Sequence, residues 1–146
     1  MSGYKSILLA VDLTEESRTV ADQAQALATA FNASLSVIHV IEPLSFSYGG
    51  DIPMDLSTVQ EQIQAQAKSH LAEFCKDIDV APERQYLIFG RPEAEIHRVA
   101  ECKAMDLVVV GSHGRHGLSL LLGSTANGVL HGAGCDVLAI RVGKSE

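Results

Sequence analysis

The sequence predicts a three-layer α/β/α domain around a five-stranded parallel sheet. Three observations predict it: five apolar runs of strand length, helical periodicity between them, and a core palette of Val, Ile, Leu and Ala. Tryptophan is absent and aromatics are only 5% of the residues, so aliphatic side chains must fill the interior. At 146 residues and 47% hydrophobic, the chain has the length and apolar content of one domain over residues 1–146 with a full core.

The first run, Ser6 to Val11, reads Ile7-Leu8-Leu9-Ala10-Val11, continuous rather than alternating, as in a strand with helices on both faces. Thr14 follows as the expected N-cap of a first helix, with Glu15 and Glu16 in its positive first turn. Val20, Ala24, Leu27, Ala28 and Phe31 fall on one face of it. Ser34 to Val40 is the second strand. The stretch from Glu42 to Leu56, with Pro43, Gly49, Gly50 and Pro53, is either a surface linker or a lid on the strand-to-helix rim. Ser57 and Gln60 form an expected capping box for a second helix that ends near Asp77, with Val59, Ile63, Ala67, Leu71 and Phe74 on its stripe. Arg84 to Phe89 is the third strand. Pro92 opens a third helix whose apolar face is Ile96, Val99 and Ala100. Asp106 to Val110 is the fourth strand, a fourth helix is expected from about Ser124 to Gly132, and Cys135 to Val142 is the last strand. This alternation implies a doubly wound sheet with right-handed crossovers.

A net charge of −7 argues against nucleic acid and anionic membranes as partners, since both attract a basic field. No run approaches 18 consecutive apolar residues and the first five residues lack a basic, apolar leader pattern, so the expected location is the cytoplasm. Cys75, Cys102 and Cys135 have no CxxC spacing, which argues against a disulfide framework or zinc site, and Cys102 and Cys135 read as small buried hydrophobes. His39, inside an apolar strand, reads as a satisfied core or rim histidine. His113, His116 and His131 are joined by no carboxylate or cysteine at a ligand spacing, so no metal site is expected. Phosphate-loop, Gly-x-Gly-x-x-Gly and Gly-x-Ser-x-Gly patterns are absent, and no residue is evidently placed as a general base.

In open α/β sheets ligands sit beyond the carboxyl ends of the strands, where the helices change faces. Two loops there carry chemistry. Asp12 ends strand one, where a carboxylate either receives sugar hydroxyls or a metal, or caps the first helix. After strand four comes Gly111-Ser112-His113-Gly114-Arg115-His116-Gly117, and then Gly123-Ser124-Thr125 at the expected start of helix four. Glycine lets the backbone approach a ligand closely, and helix-start amides with Ser124, Thr125 and Arg115 would cradle an anion. The other reading is a glycine-rich turn that holds nothing.

Ile7 to Asp12, Val37-Ile38-His39-Val40, Gly90-Arg91-Pro92 and the Val110-to-Thr125 block together resemble the universal stress protein family over nearly the whole chain. The resemblance implies an adenine nucleotide alpha hydrolase-like fold with strand order 3-2-1-4-5. It also implies ATP, with or without Mg²⁺, in the rim crevice of a stress-response binding module rather than an enzyme. Asp12 would then meet the ribose, Val40 and Val110 would border the adenine, and Ala10 would also belong to the cofactor site. Gly111, Gly114, Arg115, Gly123, Ser124 and Thr125 would hold the phosphates. Nucleotide-binding relatives carry nine residues between the second glycine and the Gly-Ser/Thr pair, whereas Arg115 to Leu122 is eight. The alternative is therefore an interaction dimer that binds no nucleotide. The family also implies a homodimer through the last strand, Cys135 to Val142, whose apolar edge needs a cover.

Overall fold

The computed structural model describes residues 3–42, 56–111, 128–129 and 134–141. Five strands, β1 (Ser6–Ala10), β2 (Ser34–Ile41), β3 (Gln85–Phe89), β4 (Leu107–Gly111) and β5 (Asp136–Ile140), alternate with three helices among the described residues. These are α1 (Ser17–Phe31), α2 (Leu56–Asp77) and α3 (Pro92–Cys102). All strand pairs are parallel and the order is β3-β2-β1-β4-β5, as the resemblance implies.

Alternation along the buried strands splits the core in two. Ile7, Leu9, Val37, Leu107 and Val109 face α1 and α2, meeting Val20, Ala21, Ala24, Leu71, Phe74 and Cys75. Leu8, Ile38, Val108 and Val110 face the other way, onto Ile96, Val99 and Ala100 of α3. Because both faces are covered, β1 shows no polar alternation, which is why its sequence reads as a continuous apolar run. The amino-terminal ends are pinned by Asp106, whose carboxylate accepts the Lys5 and Ser6 amides at 3.0 Å, and by the Tyr4 hydroxyl donating to Asp136 at 2.8 Å.

Several expectations need correction. α1 begins at Ser17, not after Thr14, and its N-cap position is Glu16, which makes no side-chain cap bond; the Thr14 side chain is instead turned to Asp12. α2 already includes Leu56, so Ser57 lies inside the helix rather than capping it. The α2 stripe is buried only at Leu71 and Phe74; Ile63 and Ala67 are half-buried and Val59 is 40% exposed, because the sheet lies under the last turns of this long helix. Phe31 is also exposed, and packs edge-on to Tyr4 at 5.2 Å between ring centroids. Cys102 is exposed, since Ile96, Val99 and Ala100 turn the opposite side of α3 to the core, and Cys135 is half-buried; Cys75 is the fully buried thiol. Gly128 and Val129 are helical, within the expected fourth helix. The remainder of that helix, and nearly all of Glu42 to Leu56, lie outside the described residues.

Each of the three helices ends in the same way. An amide two or three residues past the last helical residue reaches back to a carbonyl five residues earlier: Ala33 to Ala28 at 2.8 Å, Val80 to Cys75 at 2.9 Å, Met105 to Ala100 at 2.8 Å. That motif places the intervening residue in the left-handed region, and here those residues are Asn32 (φ 56°), Asp79 (φ 61°) and Ala104 (φ 55°). Alanine suits this conformation least, having neither glycine's freedom nor a polar side chain to bond locally. Ala104→Gly touches no packed surface, as Ala104 is exposed. It is expected to stabilise the fold by about 0.5–1 kcal/mol after the entropy of the unfolded glycine is counted, read as a higher urea midpoint at unchanged m.

Candidate functional site

The helices change faces between the carboxyl ends of β1 and β4. From β1 the chain enters α1 on one face of the sheet; past β4 the first described residues are Gly128 and Val129, and Val129 is buried in the cluster around α3 on the other. In open α/β sheets such a switch point is the usual place for ligands. The β1–β4 register pairs Leu9 with Val109, so Ala10 and Val110 are the next opposed positions and Gly111 stands beside the start of the Asp12 loop. β2 runs further than β1: Ala10 is level with Ile38, which leaves Val40 projecting above as a wall. Ala10, Val40 and Val110 share the α3 face of the sheet. Of these, Ala10 and Val40 are half-buried, while Val110, 2% exposed, lies behind them.

The Asp12 loop is held from several sides. The Val11 amide donates to the Ile38 carbonyl at 3.0 Å, and the His39 Nδ1–H donates to the Val11 carbonyl at 2.9 Å. A carbonyl only accepts, so the proton sits on Nδ1. This bears out the reading of His39 as a satisfied rim histidine and ties β2 to the residue before Asp12. The Oδ1 of Asp12 accepts three bonds, from the Thr14 amide at 3.1 Å, the Thr14 hydroxyl at 2.7 Å and the buried Ser17 hydroxyl at 2.8 Å. Asp12 therefore does anchor the entry to α1, through a turn of its own rather than a helix cap. Between it and Thr14, Leu13 sits at φ 61°, a conformation that a bulky side chain occupies at a cost of about 1–3 kcal/mol and that concentrates at functional loops. Leu13 packs against the α1–α2 core, which offsets that strain.

The structure thus brings Ala10, Asp12, Val40, Val110 and Gly111 to one rim. Gly114, Arg115, Gly123, Ser124 and Thr125 lie outside the described residues. Thr14, Ser17 and His39 were not among the expected site residues. Hydroxyls two and five positions after an aspartate are the signal that could have found the first two.

No group of three or more His, Cys, Asp or Glu residues that could hold a metal occurs among the described residues. Among the thiols, burial pushes Cys75 up to about 11, and burial with the charges of Asp136 and Asp106 pushes Cys135 upward. A thiol held protonated in the fold but ionising near 9 when unfolded stabilises the folded state less as pH rises, so stability is expected to fall between about pH 9 and 11. At neutral pH a disulfide reagent should label exposed Cys102 in the native protein, and Cys75 only after unfolding, which mass spectrometry of the adducts would read.

The sheet order and the change of helix face between β1 and β4 define a doubly wound α/β protein. The chain belongs to the universal stress protein family, whose pattern it matches over residues 3–141. It is 44% identical over 138 residues to universal stress protein A homolog 1 of Coxiella burnetii, covering 94% of this chain and 96% of that one. The solved structure of the protein MJ0577 superposes with a TM-score of 0.82 at 23% identity, over 99% of this chain and 100% of the other. A universal stress protein crystallised in complex with cAMP superposes at 0.62 with 22% identity, over 96% of this chain and 98% of that one. Among the described residues no helix is long and apolar enough to cross a membrane.

Proposed function

We propose that this universal stress protein binds an adenine nucleotide, ATP with or without Mg²⁺, in the crevice between β1 and β4, and acts as a cytoplasmic stress-response module rather than an enzyme. The observation that carries this reading is the pairing of a fixed carboxylate with an apolar wall at the switch point. Three donors on Oδ1 hold the Asp12 carboxylate in one orientation, beside half-buried Ala10 and Val40. A carboxylate accepts the hydroxyls of a ribose, and an aliphatic wall suits the face of a base. These residues fit a nucleoside. ATP would supply its phosphates to the glycine pattern from Gly111 to Thr125, with Arg115 as their counter-charge. The family relative bound to cAMP supports an adenine nucleotide as the ligand class.

The same reading makes the protein a homodimer. β5 pairs with β4 on one side and closes the sheet order on the other, and its side chains pack into both cores, Leu138 and Ile140 on one face and Val137 and Ala139 on the other. A second copy adding its β5 antiparallel would cover that edge.

Calorimetric titration with ATP and Mg²⁺ tests the proposal, together with a thermal-shift series. Binding to the folded state alone raises stability with ligand concentration, by about 2.7 kcal/mol at a hundred times Kd. Gly114→Val should remove that stabilisation and leave the ligand-free melting point unchanged. Absence of both heat and shift at millimolar nucleotide would favour the second reading, a non-binding interaction dimer, which the eight-residue spacing between Gly114 and Gly123 supports.

A further inference from the structure

A second surface lies away from the crevice, where the last turns of α2 and the Pro82–Arg84 turn meet the amino-terminal half of β3. They enclose an open groove of about 860 Å³. Its floor is apolar, formed by Leu71 and Cys75 with the half-buried Leu87. Its rim is basic: Lys68, Lys76 and Arg84 line it against a single carboxylate, Asp79. This reverses the balance of a chain with 18 acidic residues and 11 lysines and arginines. Among the described residues neither Lys68 nor Lys76 forms an ion pair; the ion pairs there are Arg18–Asp77 and Arg98–Glu95. Arg84 is anchored by its Nε, which donates to the Leu35 carbonyl at 3.0 Å, so its guanidinium stands in a defined place at the groove.

The groove borders a sheet edge. Among the described residues β3 pairs with β2 alone. The Gly90 amide donates to the Ile41 carbonyl at 2.9 Å, which places the main-chain groups of Tyr86 and Ile88 toward β2. In a parallel ladder alternate residues face opposite ways, so Leu87 and Phe89 direct their amides and carbonyls outward, as does the Gln85 carbonyl. None of these has a backbone partner among the described residues. Such an edge is a template for an added strand, and on such a strand every second side chain would lie over the groove.

The charge selects the occupant. A second copy offering the same edge would set Lys68, Lys76 and Arg84 against their own duplicates, which like-charge repulsion disfavours. We infer that the β3 edge and its groove dock an extended acidic peptide segment of a partner protein, which adds to the sheet beside β3. Carboxylates at alternate positions would meet Lys68, Lys76 and Arg84, with their methylene stems over Leu71 and Leu87.

Fluorescence polarisation on the full chain tests this, with a labelled peptide of about eight residues alternating Glu and Val, and its Lys-Val counterpart as control. The expected result is saturable binding of the acidic peptide that weakens with salt, and no binding of the basic one. Lys68→Glu with Lys76→Glu, both on the exposed side of α2, should weaken binding at least about tenfold with an unchanged melting curve. Methylating the peptide amides along one edge should abolish binding, whereas methylating the other edge should not, because a strand bonds through one edge only. Equal binding of both peptides, no binding at millimolar peptide, indifference to the lysine changes, or indifference to methylation on either edge would each overturn the inference. ATP titration is read separately, so failure here leaves the nucleotide proposal standing.

Discussion

Asp12→Ala is expected to destabilise the fold by about 2–4 kcal/mol and to abolish nucleotide binding, whereas Asp12→Asn should cost little stability and still lose at least about tenfold in ATP affinity. The alanine change removes the acceptor for the Thr14 amide, the Thr14 hydroxyl and the Ser17 hydroxyl at once. Bonds to a charged group are worth about 1.5–3 kcal/mol each, though three on one oxygen do not add fully. Ser17 is 4% exposed, so its hydroxyl would be left buried without that acceptor, and Leu13 would keep its strained φ with less to hold it. Asparagine retains Oδ1 and with it the three anchoring bonds. It replaces the second carboxylate oxygen by an amide donor, which cannot accept from a ribose hydroxyl, and it removes the charge. Urea melts and calorimetry on the two variants separate the roles. A stable Asp12→Asn protein with wild-type ATP affinity would mean that Asp12 is an anchor only.

Much of the architecture was legible because burial on both faces leaves a plain trace. β1 and β4 are continuous aliphatic runs, and α3 shows its core face as Ile96, Val99 and Ala100, all buried. The strand order was legible only through resemblance, since local pattern says nothing about which strand neighbours which. Periodicity failed where a helix outruns the sheet beneath it. Val59 and Ile63 continue the α2 stripe of Leu71 and Phe74, yet do not reach the same depth. The cap at Thr14 was misread because a cap needs the hydroxyl oxygen turned toward the first-turn amides, whereas donating to Asp12 turns it back toward the preceding loop and the helix starts only at Ser17. At the site, Asp12 stood out as a carboxylate just past the apolar run of β1. The part of His39 is a tertiary fact: its ring meets the Val11 carbonyl across strands, 28 residues apart in the chain.

Gly128→Ala is expected to destabilise the protein by about 1–3 kcal/mol, while Gly134→Ala stays within about 0.5 kcal/mol of the parent. A methyl group on Gly128 would stand 2.7 Å from the Cβ and 2.9 Å from the Cγ of Glu93, whereas one on Gly134 meets nothing within 4 Å. The clash involves the root of the Glu93 side chain rather than its flexible end, so it cannot be relieved by a rotamer change. Glu93→Ala in the Gly128→Ala background should accordingly recover little, since the 2.7 Å contact to Cβ remains. What must move is the pairing of Gly128 and Val129 with α3. Val129 is fully buried there and its carbonyl accepts from the His97 Nε2–H at 2.8 Å, so displacement loses packing and a hydrogen bond together. The chain between Gly111 and Gly128 carries the whole glycine pattern proposed to hold phosphates, and Gly128 is its first described anchor beyond β4. Under that proposal Gly128→Ala should also weaken ATP binding and Gly134→Ala should not. Thermal melts with and without nucleotide read both effects in one experiment: a Gly128→Ala protein that melts lower yet gains the full ligand shift would uncouple this anchor from the crevice.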